Sequence, residues 1–482
     1  MLFTSFEFLI FFPAVTVLYF LLPQRRRWAL LLSASCVFYM AFIPIYILIL
    51  AFTIVVDYCA GLLIEGAEGA RRRRYLILSL AANCGVLAVF KYAGFISANF
   101  TAAARLLDIP ASLPVLRVVL PIGLSFHTFQ AMSYTIEVYR GRQRAERHFG
   151  IYALYVLFYP QLVAGPIERP QHLLPQLREA HAFDEARVAA GLHLMLVGFF
   201  KKLVIADNLA VYVDPVFTSP RGQDPLSLVV ATVSFAFQIY ADFSGYSDIA
   251  IGAAQVMGIT LMTNFNHPYH ARSTGEFWKR WHISLSTWFR DYLYIPLGGS
   301  RAGRGRWYAN LLITFAISGL WHGARWTFVV WGLLNGLYVV SSVATAGLRR
   351  RVVAALGLDR RPLIHRAAQV GTTFALTCAA WVFFRADSVR DAVYIFHDVA
   401  AGAAHLFKGS SARALTSIAF LWMGFGGLVL LEAAHAVQGR RGPRLETAGW
   451  PAWVRWSWYY VLVGGILCCG RFGARQFIYF QF

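Results

Sequence analysis

Ile45-Tyr-Ile-Leu-Ile-Leu-Ala-Phe-Thr-Ile-Val-Val-Asp57-Tyr-Cys-Ala-Gly-Leu-Leu63 carries a single charge, and the chain soon afterwards reads Arg71-Arg-Arg-Arg74. A helix that crosses a bilayer needs about 20 predominantly apolar residues, and a basic cluster at its end marks the cytoplasmic side. The same pattern extends in both directions. Upstream, an apolar run from Phe8 to Leu22 stops at Arg25-Arg-Arg27, and Trp28–Met40 with Ile45–Leu63 then returns the chain to the Arg71–Arg74 side. Downstream, Tyr75–Ile96 crosses again, Thr101–Leu116 lies outside, and Val118–Tyr139 comes back to Arg140, Arg142 and Arg144. Three basic clusters agree on one orientation, with the N-terminus outside. Glu7 and Pro13 replace the basic start of a signal peptide, so the first run reads as a retained segment.

The composition carries the same message. The 482 residues are 58% hydrophobic and 14% charged, with 39 Phe, 23 Tyr and 14 Trp. Soluble domains hold about 25% charged residues, so a soluble enzyme, a disordered chain and a disulfide-stapled secreted domain are excluded. The net charge of +20 would suggest nucleic acid in a soluble protein. Here the arginines sit in short runs between apolar stretches, and no nucleic-acid partner is expected. The six cysteines lie almost wholly in apolar runs without a CxxC pair, so no zinc or redox spacing is present and no metal site is expected.

Beyond Tyr139 the apolar runs fall near 151–167, 189–205, 226–261, 311–343, 367–384, 418–436 and 453–469. Several are broken by Pro160, Pro166 or the pair Lys201-Lys202, and some exceed one span. Irregular segments at membrane depth are tolerated only inside protein or along a wet cavity. The expected fold is therefore all-α, a polytopic membrane protein of roughly ten to twelve helices, tilted in a ring around a central tunnel. Residues 1–482 form one integral-membrane domain in this reading, with 238–343 as its catalytic core. No internal repeat is visible, which counts against an inverted-repeat transporter.

Polar residues concentrate between Gln238 and His322. In Gln238-Ile-Tyr-Ala-Asp242-Phe-Ser-Gly-Tyr-Ser-Asp248 the carboxylates border an apolar run and must find partners or water; an interhelical hydrogen-bond bracket is the simplest role. Glu276 to Tyr292, taken as one helix, would gather Trp278, Trp281 and Trp288 within about 80° of arc, opposite Lys279, Arg280, Arg290 and Asp291. That describes a helix lying in the interface, with His282 at its border, either structural or facing a tunnel mouth. The basic face continues through Arg301, Arg304 and Arg306 among glycines, suited to a phosphate-bearing ligand or to anionic lipid. His322, in Ser318-Gly-Leu-Trp-His322-Gly323, lies in the apolar run 311–330. A buried imidazole is held neutral, the form that accepts a hydroxyl proton. Gly319 and Gly323 would let another helix or an acyl chain come close.

At these residues the chain resembles the membrane-bound O-acyltransferase superfamily, in its bacterial branch that includes the alginate O-acetylation membrane protein. The similar segments run in order over nearly the whole chain: Leu120-Pro-Ile-Gly-Leu-Ser-Phe-His-Thr-Phe, Ala164-Gly-Pro-Ile-Glu-Arg, Asp242-Phe-Ser-Gly-Tyr-Ser-Asp, Asn264-Phe-Asn, Phe277-Trp-Lys-Arg-Trp-His-Ile-Ser-Leu-Ser-Thr-Trp, Arg290-Asp-Tyr-Leu-Tyr-Ile, Leu320-Trp-His-Gly-Ala, Phe383-Phe-Arg-Ala and Phe477-Ile-Tyr-Phe-Gln-Phe. The resemblance implies that His322 is the essential histidine and that His282 is a second one along the tunnel. It further implies acetyl transfer from acetyl-CoA or another acyl thioester, with no permanently bound cofactor. The product would be an O-acetylated extracytoplasmic polysaccharide, alginate-type first, with cellulose and peptidoglycan as alternatives. A periplasmic acetyltransferase partner, contact with membrane lipid and a bacterial inner-membrane location belong to the same expectation. The competing classes are a transporter without acyl chemistry and an acyltransferase acting on lipid or protein.

Overall fold

A computed structural model describes residues 1–114, 120–402, 418–438, 444–445, 447, 449–473 and 476–478. No strand occurs among them. The principal helices are α1 (Phe6–Leu21), α2 (Gln24–Met40), α3 (Ile47–Gly66), α4 (Gly69–Leu87), α5 (Ala93–Leu106), α6 (Leu124–Tyr139), α7 (Phe149–Leu157), α8 (Pro170–Gln176), α9 (Glu185–Phe200), α10 (Asp207–Thr218) and α11 (Pro225–Val256). After them come α12 (Thr274–Trp278), α13 (Ile283–Phe289), α14 (Arg304–His322), α15 (Trp326–Ala344), α16 (Ala346–Ala355), α17 (Pro362–Arg385), α18 (Val389–Ala401), α19 (Ile418–Val437) and α20 (Ala452–Cys469).

Among the described residues, seven helical stretches are long and apolar enough to cross a membrane by length and composition. The expected ten to twelve also counts runs that now appear as α1, α2, α6, α14 and α20, which are shorter or less apolar. Three stretches, Gly69–Leu106, Glu185–Thr218 and Pro225–Val256, are longer than one span. Gly69–Leu106 is continuous through a π-helical turn at Ala88–Tyr92, so the helix runs on into the stretch expected outside, as far as Leu106. Glu185–Thr218 is continuous through a second π turn at Lys201–Ala206. Residues 115–119, which include the expected start of the fifth span at Val118, lie outside the described residues, as does the ending from Tyr479.

The described chain forms two compact units. The first comprises Met1–Met195 and Tyr246–Met262. Its helices α3, α4 and α6 pack together around Asp57, whose carboxylate is fully buried. Ser79 donates to it at 2.6 Å and Asn83 at 2.9 Å, and the Ser79 hydroxyl also reaches Thr135 Oγ1 at 3.2 Å. One carboxylate thus links three helices where water is absent, the arrangement expected for an ionisable group among apolar spans.

The run 151–167 is helical only to Leu157. Residues 158–169 are buried irregular backbone, and side chains take over the bonds that a helix would have made. Gln130 and Gln161 both donate to Tyr155 O, Ser35 Oγ accepts from Tyr159 N, and the Tyr155 hydroxyl donates to Glu168 O. Glu168 is itself fully buried, accepting from Met262 N at 2.6 Å and bonding the His172 ring at 2.7 Å. Gly123, with φ 76°, lies where a Cβ would be 2.9 Å from Leu162 O. Two sequence segments, Leu120–Phe129 and Ala164–Arg169, therefore serve one packed feature.

The second unit comprises Leu196–Gly245 and Thr263–Ile478. Within it the π turn presents Lys202, 1% exposed, to two carboxylates, Asp242 at 2.5 Å and Asp207 at 3.0 Å. The second oxygen of Asp242 accepts from Ile478 N at 2.8 Å, and the Lys202 ammonium lies 4.5 Å from the Phe477 ring centroid. Asp242 thus fills the bracketing role expected of it and also anchors the start of the last quoted segment. Helices α14 and α15 are closely crossed, with α17 against α15.

Removing one partner of a buried ion pair leaves an uncompensated charge and costs about 3–5 kcal/mol. Lys202→Met is expected to collapse the yield of monodisperse protein in detergent, and Lys202→Met/Asp242→Asn to recover part of it. Equal yields and melting temperatures for wild type and Lys202→Met would show the triad to be dispensable.

Candidate active site

The segment expected as one interfacial helix, Glu276 to Tyr292, is two short helices, α12 and α13, separated by a turn. The cause is the chain beside it. Asn266 N donates to Arg280 O and Ile283 N to Asn264 O, both at 2.9 Å, while Asn264 Oδ1 accepts from the Ser284 hydroxyl at 3.0 Å. These bonds replace helical ones and hold His282 in the left-handed region, at φ 44°. A non-glycine residue there costs about 1–3 kcal/mol, and such strain persists only where the surroundings over-determine it. The break also redirects the indoles. Trp281 and Trp288 are buried, and Trp278 packs on Phe315 and Trp331, so this is interior packing and not a headgroup belt. Lys279 and Arg290 remain exposed, which preserves the polar face.

His322 is not in the middle of a helix but is the last residue of α14, because Gly323 turns the chain into extended backbone. The turn is tight. A Cβ on Gly323 would lie 2.2 Å from the Phe328 ring, and one on Gly319 would lie 2.2 Å from Phe328 O. Gly319 thus lets α15 approach, the helix alternative expected for these glycines.

The two histidines meet. Their ring centroids are 6.4 Å apart, and each residue is at most 5% exposed. His322 is enclosed edge-on by Trp331 at 5.1 Å and Phe384 at 5.4 Å, and His282 by Phe243 at 4.7 Å. Burial pushes the His282 imidazole, which lies outside the long apolar helices, down to about 3, so it stays neutral under physiological conditions. Phe384 comes from the Phe383-Phe-Arg-Ala segment, whose Arg385 pairs with Asp214 at 3.0 Å.

A cleft of about 200 Å³ lies between α12–α13 and α14, with Trp278, Lys279, Phe289, Arg290 and Ser318 among its lining. Ser318 and His322 share a face of α14, one turn apart. Of the six basic residues, Lys279 and Arg290 line this cleft, and Arg301, Arg304 and Arg306 are exposed at and before the first turn of α14. Arg280 is engaged by Glu276, through Nε at 3.1 Å and Nη2 at 2.7 Å, and Arg290 also bonds Asp291 at 2.7 Å. Asn310 joins the set by donating to Gly299 O and accepting from Arg306 Nε, which pins the glycine loop to α14.

Sequence reasoning missed Lys202 and Asp207 as partners of Asp242, and Asn264 and Ser284 as holders of His282. The pair Lys201-Lys202 inside an apolar run was the available signal for the first. The second had none, because nothing local says that 264–266 runs beside 280–284.

Overpacking a tight contact costs about 1–3 kcal/mol. Gly319→Ala should lower the melting temperature of the detergent-purified protein, because the Cβ meets backbone. Gly305→Ala, where the Cβ meets nothing within 4 Å, should leave it unchanged or raise it. Equal melting of the two variants would disprove the close crossing.

The sequence profile of the membrane-bound O-acyltransferase family (MBOAT) matches residues 117–375. The probable alginate O-acetylase AlgI of Pseudomonas putida is 38% identical over 403 residues, covering 82% of this chain and 79% of the relative. The peptidoglycan O-acetyltransferase of Helicobacter pylori is 35% identical over 417 residues, 80% of this chain and 77% of the relative. A teichoic acid D-alanyltransferase of Bacillus subtilis is 26% identical over 226 residues, 45% and 57% respectively. With both histidines, the aromatic enclosure and the crossing of α14 on α15 inside or beside the matched region, this multi-pass membrane chain belongs to the membrane-bound O-acyltransferase family.

Proposed function

We propose that this protein is an O-acetyltransferase of the bacterial inner membrane. It takes an acetyl group from a cytoplasmic thioester, acetyl-CoA first, and delivers it for O-acetylation of an extracytoplasmic polysaccharide, alginate-type first. A periplasmic partner protein completes the delivery. The observation that carries the reading is the meeting of His322 and His282 in an aromatic enclosure, one helical turn from a cleft edged by Lys279 and Arg290. The relatives named for alginate and peptidoglycan O-acetylation support the substrate class.

In this reading His322 accepts the proton of an acceptor hydroxyl as its oxygen attacks the acetyl carbonyl carbon. The carbon–sulfur bond then breaks, and the thiolate takes the proton back from the imidazolium. One ester and one thiol result, and His322 returns to its neutral state. His282 is a positioning residue that packs against the same enclosure. The exposed Arg301, Arg304 and Arg306 lie at the positive end of α14, where Gly303 provides no side-chain cap. Helix N-termini and arginines both favour phosphate groups such as those of coenzyme A.

Loss of a general base typically costs about 10²- to 10⁴-fold in rate. His322→Gln should insert and purify normally yet abolish O-acetyl groups on the cell's polysaccharides, measured by mass analysis after complementation of a deletion strain. Near wild-type acetylation at normal expression would remove His322 from the chemistry. His282→Asn should be milder, because asparagine tolerates the left-handed backbone. Replacing Arg301, Arg304 and Arg306 together with Gln should raise the KM for the thioester in isolated membranes several-fold, with little change in membrane insertion. An unchanged KM would leave these arginines to anionic lipid.

A further inference from the structure

The segment after Asn264-Phe-Asn266 reads His267-Pro-Tyr-His270. The acyl-transfer reading gives these two histidines no task. His267 has φ 44°, and Pro268–His270 forms one turn of 3₁₀ helix. Their rings lie parallel, with centroids 5.8 Å apart. Glu432, on α19, approaches the same point, its Oε2 3.5 Å from His270 Nε2. One ligand atom from each of His267, His270 and Glu432 can be chosen so that all three lie within 4.8 Å of one another. All three side chains are half-buried, and they edge an apolar cleft of about 590 Å³ that also exposes Tyr240, Phe237 and Phe374.

Zinc takes histidine nitrogen at about 2.0–2.1 Å and carboxylate oxygen at about 2.0–2.2 Å. Two ligands of a tetrahedral ion are therefore about 3.3–3.5 Å apart. The His270–Glu432 separation already has that value, and His267 needs only a side-chain adjustment to complete the set. A neighbouring imidazole fits the same plan. His435 packs edge-on to the His267 ring at 4.8 Å, and its Nδ1 donates to Leu431 O at 2.9 Å.

We propose that His267, His270 and Glu432 form a binding site for a divalent transition metal, zinc first, that clasps the 267–270 turn to α19. The ligand types, two imidazoles and one carboxylate, suit zinc and exclude calcium or magnesium, which take oxygen. The clasp is structural in effect. The turn it fixes follows directly on Asn264 and Asn266, whose bonds hold the His282 backbone.

The test uses full-length protein in detergent, without a polyhistidine tag, stripped by a chelator and then dialysed against Zn²⁺ or Co²⁺. One equivalent of zinc per chain by elemental analysis, and a Co²⁺ ligand-field absorption lacking a thiolate charge-transfer band, are expected. His270→Ala and Glu432→Gln should each weaken binding by at least about tenfold, since even residues that only support metal ligands carry that much. Zinc should raise the melting temperature of wild type and not of these variants. Wild type that binds no stoichiometric zinc overturns the site, whatever the variants do. So does undiminished binding in a folded His267→Ala/His270→Ala variant, or a thiolate band, which would move the metal to cysteine.

Discussion

A peptide group in hydrocarbon has no water to bond, so every amide and carbonyl must find its partner within the protein. Helices solve this locally, and they are the regular structure throughout the described chain. The two departures matter most. Residues 158–169 and 264–284 leave the helix inside their respective units, and in each case side chains make good the lost bonds. Gln130, Gln161, Ser35 and Glu168 do so in the first, and Asn264 with Ser284 in the second.

The environment of the histidine pair follows from the same constraint. Aromatic rings from α11, α15 and α17 exclude water around His282 and His322, so charge on either imidazole would lose its hydration. The enclosure therefore disfavours charge on His282, while the exposed cations Lys279, Arg290, Arg301, Arg304 and Arg306 lie toward the start of α14 and its cleft. Exposed positive charge and a dry pair of imidazoles are thus placed within one unit, joined by a single helix that carries Arg304 at one end and His322 at the other.

Much of this was legible from periodicity and breaks. The apolar runs became helices close to their expected limits: 226–261 as α11, 367–384 as α17, 453–469 as α20. His322 stood out because an ionisable group in such a run demands a reason. What was not legible depended on contacts distant in sequence. An angular count assumes one helix, and it placed three tryptophans on a surface; the hydrogen bonds of Asn264 and Asn266 break that helix and turn Trp281 inward. Lys202 looked like an interruption because one of its two carboxylate partners, Asp242, is 40 residues further along the chain.

The Lys202 triad also bears on how the chain is made. A lysine or aspartate at the centre of a lone helix entering a bilayer costs about 2.5–3.5 kcal/mol, and the stretch Glu185–Thr218 carries Lys202 and Asp207 together. Their mutual contact lets that stretch leave the translocon as a nearly neutral hairpin partner. Asp242 arrives later, on α11, and meets a lysine that is already inserted. The order of synthesis therefore gives Lys202 its first carboxylate from within its own stretch and its second from the next helix, and the Ile478 amide reaches the remaining Asp242 oxygen from much later in the chain.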